Sequence, residues 1–211
     1  MSAPGRQFND AVTRFWTLAA PIYDLPFLQR WVYLPVQDEV VAALRAHGAR
    51  RIADIACGTG IMATRIQTDL NPDEIYGVDM SDGMLEQAKA RTDRVRWLKA
   101  PAEKLPFDDG ALDAVVSTSA FHFFDQPAAL REFHRVLAPG GLAAVGTISP
   151  PMPAVLRRLS EGTSGPAGNP TPEQLRTLFT EAGFALADQH RVRRPMWTRG
   201  VWDLLTLAIK P

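Results

Sequence analysis

Apolar positions along this chain follow first one rhythm and then another. Phe8, Val12, Phe15, Trp16 and Ala19 fall at helical spacing, which predicts an amphipathic helix over residues 6–20. Pro21 and Pro26 then break the chain around Ile22-Tyr23-Asp24. Val36, Val40, Val41 and Leu44 predict a further helix, closed by His47-Gly48. From residue 51 short apolar runs alternate with helical ones. Strands are predicted at 51–56, 74–80, 95–99, 112–117 and 142–148, the fourth apolar enough to be buried on both faces. Helices are predicted from the glycine loop to about Asp69, after a Ser81 cap over Met84, Leu85 and Ala88, and over 127–137 before Pro139-Gly140-Gly141. Thr171 caps one more helix through Ala182, ended by Gly183, and two last strands are expected at 185–193 and 201–209.

Strands and helices in this alternation imply right-handed crossovers and a mostly parallel sheet covered on both sides. The proline-rich run 149–172 interrupts the pattern and reads as a loop or lid. The chain therefore divides into an N-terminal helical cap, 1–48, and a main domain, 49–211.

Composition narrows the classes of function. Hydrophobic residues make up 46% of the chain, enough for a substantial core, and 23 basic residues balance 23 acidic ones. No global charge steers the protein toward nucleic acid or an anionic membrane. Cys57 is the only cysteine, which excludes an intrachain disulfide and a cysteine-based zinc cluster. His47, His122, His134 and His190 have no metal-ligand spacing, so no metal site is expected. The opening residues lack a secretory pattern and no run has transmembrane length, so a cytoplasmic protein is expected.

The chemistry concentrates after the first strand of the main domain, in Asp54-Ile55-Ala56-Cys57-Gly58-Thr59-Gly60. Gly58 and Gly60 let the backbone approach a ligand and aim helix amides at it. Nucleotide-binding folds share such loops, so the acid before the glycines is the sharper signal. At the strand end Asp54 repels a pyrophosphate and attracts a cation, which argues against an NAD-linked oxidoreductase. Asp79, ending the second strand, is placed to accept ribose hydroxyls. Taken singly, each acid is equally well read as a helix cap or a solvated strand end; the pair in this register favours a ligand.

IADIACGTGIMA, IYGVDMSDGML, AEKLPFDDGALDAVVSTSAFHFF and LREFHRVLAPGGLAAVG, in order over roughly residues 50–148, resemble the motifs of class I S-adenosylmethionine-dependent methyltransferases. Within them the chain resembles the subgroup that includes ubiquinone/menaquinone biosynthesis methyltransferases. The resemblance implies a Rossmann-like α/β fold with a seven-stranded, mostly parallel sheet, its last strand antiparallel. It also implies S-adenosyl-L-methionine as cofactor, leaving as S-adenosyl-L-homocysteine. Carried onto this sequence, the cofactor-binding positions are Tyr23, Asp54, Ala56, Gly58, Gly60, Asp79, Met80, Ala102, Glu103 and Ser117. Tyr23 would lie near the methionine end, where an aromatic face suits a sulfonium. Two departures stand out. Ala56 occupies a position where glycine is frequent, and Pro101 one where relatives carry an acid for the adenine amino group. Adenine recognition then falls to the Ala102 amide and apolar neighbours such as Met80, with Glu103 as a substitute acceptor.

A sulfonium is already a strong methyl donor, so the protein's task is to align an acceptor. His122, just beyond the fourth strand, is the candidate for contacting it, and packing of its loop is the competing reading. His134 reads as structural, and His190 with Arg191, Arg193 and Arg194 as a solvated edge. Phe27, Trp31, Tyr33, Phe121, Phe123 and Phe124 are divided between an apolar acceptor pocket and plain packing. The expected function is methyl transfer to a small apolar or aromatic molecule at oxygen or carbon. The alternatives are N-methylation of a phospholipid or other amine, and a non-catalytic S-adenosylmethionine-binding protein.

Overall fold

The computed structural model describes residues 33–149, 169–194, 198 and 202–211. The helix expected over 6–20, Tyr23, Phe27, Trp31 and most of the expected lid lie outside the described residues. In chain order the elements are α1 (Leu34–His47), β1 (Arg51–Ile55), α2 (Ile61–Leu70), β2 (Glu74–Asp79), α3 (Asp82–Arg91), β3 (Arg96–Lys99), β4 (Leu112–Thr118), α4 (Gln126–Val136), β5 (Leu137–Ile148), α5 (Pro172–Glu181), β6 (Ala185–Arg191) and β7 (Asp203–Ile209).

The strands form one seven-stranded sheet in the order β3-β2-β1-β4-β5-β7-β6. The first five pair in parallel, while β7 runs antiparallel to both β5 and β6. The order reverses between β1 and β4, and a doubly wound sheet opens a crevice at such a point, beyond the carboxyl ends of its strands. Two apolar layers cover the sheet. On one face Val36, Val40 and Leu44 of α1 and Met62 and Ile66 of α2 pack on Ile52, Ala114, Val116 and Ala144. On the other, Leu130 and Phe133 of α4 and Leu175 and Phe179 of α5 pack on Ala53, Val115, Ala143 and Val145. Alternate residues of β1, β4 and β5 thus serve both layers, which is why these strands read as unbroken apolar runs.

Local signals set the boundaries. Gly48 ends α1 with a left-handed φ of 71°. The Ser81 hydroxyl accepts from the Met84 amide at the start of α3, and Thr171 forms a reciprocal capping box with Gln174 at α5. β5 starts five residues earlier than its apolar run, at Leu137 rather than 142. Its extension is held from outside: Gly140 N–H donates to the Lys210 carbonyl at 2.8 Å and Lys210 N–H to that of Gly141 at 2.9 Å.

Small residues permit two close approaches. At Gly146 a Cβ would come within 2.7 Å of Val36, so this glycine lets α1 sit flush on β5. At Gly77 and Gly60 a Cβ would enter the ring of Trp97, whose indole N–H is tied to the Thr92 carbonyl at 3.1 Å. Trp97 therefore packs against both the second strand and the glycine loop. Gly77→Ala is expected to cost about 1–3 kcal/mol through overpacking against this ring. Urea unfolding reads it as a lowered midpoint, and an unchanged midpoint would show that the indole moves freely.

Candidate active site

β1 ends in Asp54-Ile55 and the chain then turns sharply into α2. Ala56, Gly58 and Gly60 adopt φ values of 56°, 54° and 81°. The alternation lets Gly60 N–H reach back to the Cys57 carbonyl at 2.9 Å, and Cys57 N–H extends the parallel ladder to Val78 at 3.1 Å. Ala56 thus occupies the left-handed region, where glycine carries no steric cost, which explains why this position favours glycine elsewhere.

Two carboxyl groups flank this loop and are held differently. Asp79 is a brace: its Oδ2 accepts from Gly58 N–H at 2.9 Å and its Oδ1 from Ser81 N–H at 2.8 Å. Burial raises its pKa, and amides of Ser81, Gly58 and Met80 pull it back. Asp54 is only 1% exposed. It accepts from the backbone amide of Ala63 in the first turn of α2, yet its Oδ2 has no partner and no access to solvent. Burial, and then the charge of Asp79, push its pKa up to about 8. The cap reading of Asp54 is thus half of the account; the unpaired oxygen is the other half, because a buried polar atom without a partner is uncommon.

Apart from Tyr23, which lies outside the described residues, the other predicted positions lie at or just beyond the carboxyl ends of β2, β3 and β4. Met80 follows Asp79 and is half-buried. The loop after β3 starts beside it, with Ala100 N–H donating to the Asp79 carbonyl at 3.2 Å, and carries Pro101 and the buried Ala102. Glu103 turns one carboxylate oxygen to the Asp125 N–H at 2.9 Å and so braces the entry to α4. Ser117 lies one residue beyond Val116, the partner of Asp54 across β1 and β4, and its buried hydroxyl is unpartnered. His122 stands in a short 3₁₀ turn, Phe121–Phe123, with its ring 4.0 Å from that of Phe123. Its Nδ1 is buried without a partner, and burial holds its pKa down to about 4, so the imidazole is neutral near pH 7.

Other residues take structural roles. Burial raises the Cys57 thiol well above its ordinary range, which keeps it protonated. His134 packs edge-on against Phe184. His190 is more than a solvated edge: it bridges Asp188 at 2.7 Å and Glu39 of α1 at 2.6 Å. Thr147, buried and unpartnered on β5, belongs with the polar atoms near the strand ends and was not a predicted site residue. A hydroxyl at an inward position of an otherwise apolar strand is the signal that marks it. Among the described residues, no group of three or more His, Cys, Asp or Glu side chains is placed to hold a metal ion. No helix among them is long and apolar enough to cross a membrane.

A glycine loop thus lies between two acids at the reversal point of the parallel sheet, where a doubly wound fold opens its crevice. Comparison with known proteins gives the family. Residues 53–145 match the methyltransferase domain family. The chain is 36% identical over 165 residues to the demethylmenaquinone methyltransferase of Thermus thermophilus, covering 65% of this chain and 75% of that protein. With the enzyme of the same name from Deinococcus radiodurans it shares 31% identity over 208 residues, covering 83% and 86%. A solved S-adenosylmethionine-dependent methyltransferase from Thermotoga maritima superposes with a TM-score of 0.68 at 25% identity, covering 94% of this chain and 98% of that one. The chain belongs to the class I S-adenosylmethionine-dependent methyltransferases. It is a methyltransferase, and S-adenosylmethionine is its cofactor. The residues present fit that molecule: the unpaired Oδ2 of Asp54 suits its cationic end, and Asp79 stands at the end of the neighbouring strand.

Asp54 also makes the protein's stability depend on pH. Its pKa rises from an ordinary 3.8 to about 8 on folding, so the folded state holds the proton more tightly. The contribution is complete below about pH 4 and is lost as pH rises through about 8. Without ligand, the stability of Asp54→Asn relative to wild type should therefore improve from about pH 4 to about pH 8 and level off above that. Chemical denaturation at several pH values measures this, and a difference independent of pH would contradict the assignment.

Proposed function

We propose that this chain methylates a small apolar or aromatic molecule at oxygen or carbon, as a cytoplasmic enzyme with no role for nucleic acid. The observation that carries the acceptor class is the end of β4. There Phe121 and Phe124 are buried in the core and hold a turn that leaves Phe123 and His122 partly exposed, the two rings 4.0 Å apart and the imidazole kept neutral by burial. Such a surface suits an uncharged, flat molecule. The names of the Thermus and Deinococcus relatives, demethylmenaquinone methyltransferases, point to the same chemical class. The even balance of 23 basic and 23 acidic residues supports a small molecule over nucleic acid.

In this reading the donor supplies a methyl group already activated on a sulfonium. The protein's residues bind and orient. Asp54 faces the ammonium end, Asp79 accepts from the ribose hydroxyls, and Gly58 and Gly60 allow close backbone approach. Met80 and Ala102 flank the base, Ser117 lies toward the methionine portion, and Tyr23, outside the described residues, is assigned to that portion by the resemblance alone. Glu103 gives one oxygen to the Asp125 amide, which holds the base-side loop in shape, and its other oxygen is the substitute acceptor for the base. His122 contacts the acceptor. Being neutral, its imidazole offers either a donor or an acceptor nitrogen, and it takes up a proton where the acceptor must lose one.

Two variants test these roles. Asp79→Ala should weaken S-adenosylhomocysteine binding by about 1–3 kcal/mol in calorimetry, as for the loss of a charged hydrogen-bonding partner. Unchanged affinity would remove Asp79 from the ribose site. His122→Ala should lower turnover by roughly 100-fold while cofactor affinity stays the same. A screen of quinols, phenols and amines with radiolabelled donor supplies the acceptor for that assay. Turnover on amines alone would overturn the proposed acceptor class, and full turnover by the variant would return His122 to packing.

A further inference from the structure

The loop from Ala100 to Ala111 has no strand or helix of its own, yet it carries the residues that the reading above assigns to the base. Its internal hydrogen bonds are sparse: Lys104 N–H to the Pro101 carbonyl at 3.1 Å and Ala111 N–H to that of Asp108 at 3.3 Å. What holds it comes from α4. The Arg135 guanidinium donates to the Leu105 carbonyl at 3.2 Å through Nη2, and to the Phe107 carbonyl at 2.9 Å through Nη1. Nη1 also reaches Asp109 at 2.7 Å. Glu132 completes the clamp, accepting Leu105 N–H at 2.7 Å and gripping Arg135 through both carboxylate oxygens at 2.9 and 2.7 Å. The pairing is mutual: Arg135 holds the Glu132 carboxyl below its usual range, and Glu132 raises the guanidinium. The helix behind the clamp is anchored in the core through Leu130, Phe133 and Val136, which are fully buried.

Pro101 gives this clamp its consequence. Proline offers no N–H and no side-chain acceptor, so polar recognition of the base falls on the backbone of the loop, with Glu103 beside it. A backbone amide discriminates between bases only if it is held in place, and an unrestrained loop would shift to satisfy either one. We propose that Arg135, aligned by Glu132, is a positioning residue for base recognition: it fixes the loop whose backbone reads the adenine edge, without touching the cofactor. A lysine could not replace it, since one ammonium does not span the fork that joins two carbonyls and two carboxylates. The inference rests on the placement of the base over this loop.

The test is base preference, which a purely structural role would leave unchanged. Affinities for S-adenosylhomocysteine and S-inosylhomocysteine are measured by calorimetry for wild type, Arg135→Lys and Asp79→Ala. Inosine exchanges the amino group for a carbonyl and protonates the adjacent ring nitrogen, so it reverses the edge that the loop reads. Wild type should favour the adenine ligand, and Arg135→Lys should narrow that preference by about fivefold. Asp79→Ala should weaken both ligands alike and keep the ratio. Should Arg135→Lys fail to fold, Glu132→Gln, which keeps the shape and loses the charge, should show the same narrowing. A wild type indifferent to the base would overturn the placement of the base itself. A wild type that discriminates, beside a folded clamp variant that discriminates equally, would overturn the role of Arg135 alone.

Discussion

A carboxyl group buried at the end of a central strand must either keep its proton or meet a cation. Asp54 is in that position: α2 supplies one amide, and the second oxygen faces neither water nor a donor. Ionised and alone, the group would destabilise the fold, because burial disfavours charge far more than one amide hydrogen bond favours it. The ligand-free protein resolves the conflict by retaining the proton. A bound ammonium would resolve it by pairing, and the site is then more stable with its cofactor than without.

The loop between the two acids is shaped by backbone conformation more than by side chains. Three alternating left-handed residues fold it back on itself, and Asp79 ties the middle one to β2. Trp97 closes the space beneath, so Asp79, the glycine loop and β3 form one packed unit. On the far side of the crevice Arg135 and Glu132 perform a similar service for a loop that lacks regular structure. Rigidity near the ligand therefore comes from residues behind it, the arrangement expected where alignment rather than acid–base strength limits the chemistry.

Much of this is legible in the sequence. The strands of the central sheet stand out as short apolar runs because both faces are buried, and caps such as Ser81 and Thr171 announce their helices through local side-chain chemistry. Asp54 and Asp79 are legible because each ends a predicted strand beside glycines. What the sequence hides is whatever depends on distance along the chain. Arg135 and Glu132 look like a surface pair on a helix turn until the loop around residue 105 is seen to fold onto them. His190 looks like a solvated edge residue because its partner Glu39 lies 151 positions away. The early start of β5 is hidden for the same reason, since Lys210 supplies the pairing that Pro139-Gly140-Gly141 lacks locally. Ala56 shows a different limit: its positive φ belongs to the loop's geometry, and nothing in an alanine advertises it.

The central claim is that Asp54 gives up its proton to meet the cationic end of the cofactor. Calorimetric titration of S-adenosylmethionine at pH 7, in buffers of different ionisation enthalpy, measures the protons exchanged on binding. Relative to Asp54→Asn, the wild-type protein should release about one additional proton per site. Identical proton exchange by the two proteins, with cofactor bound by both, would show that Asp54 is a buried helix cap and nothing more.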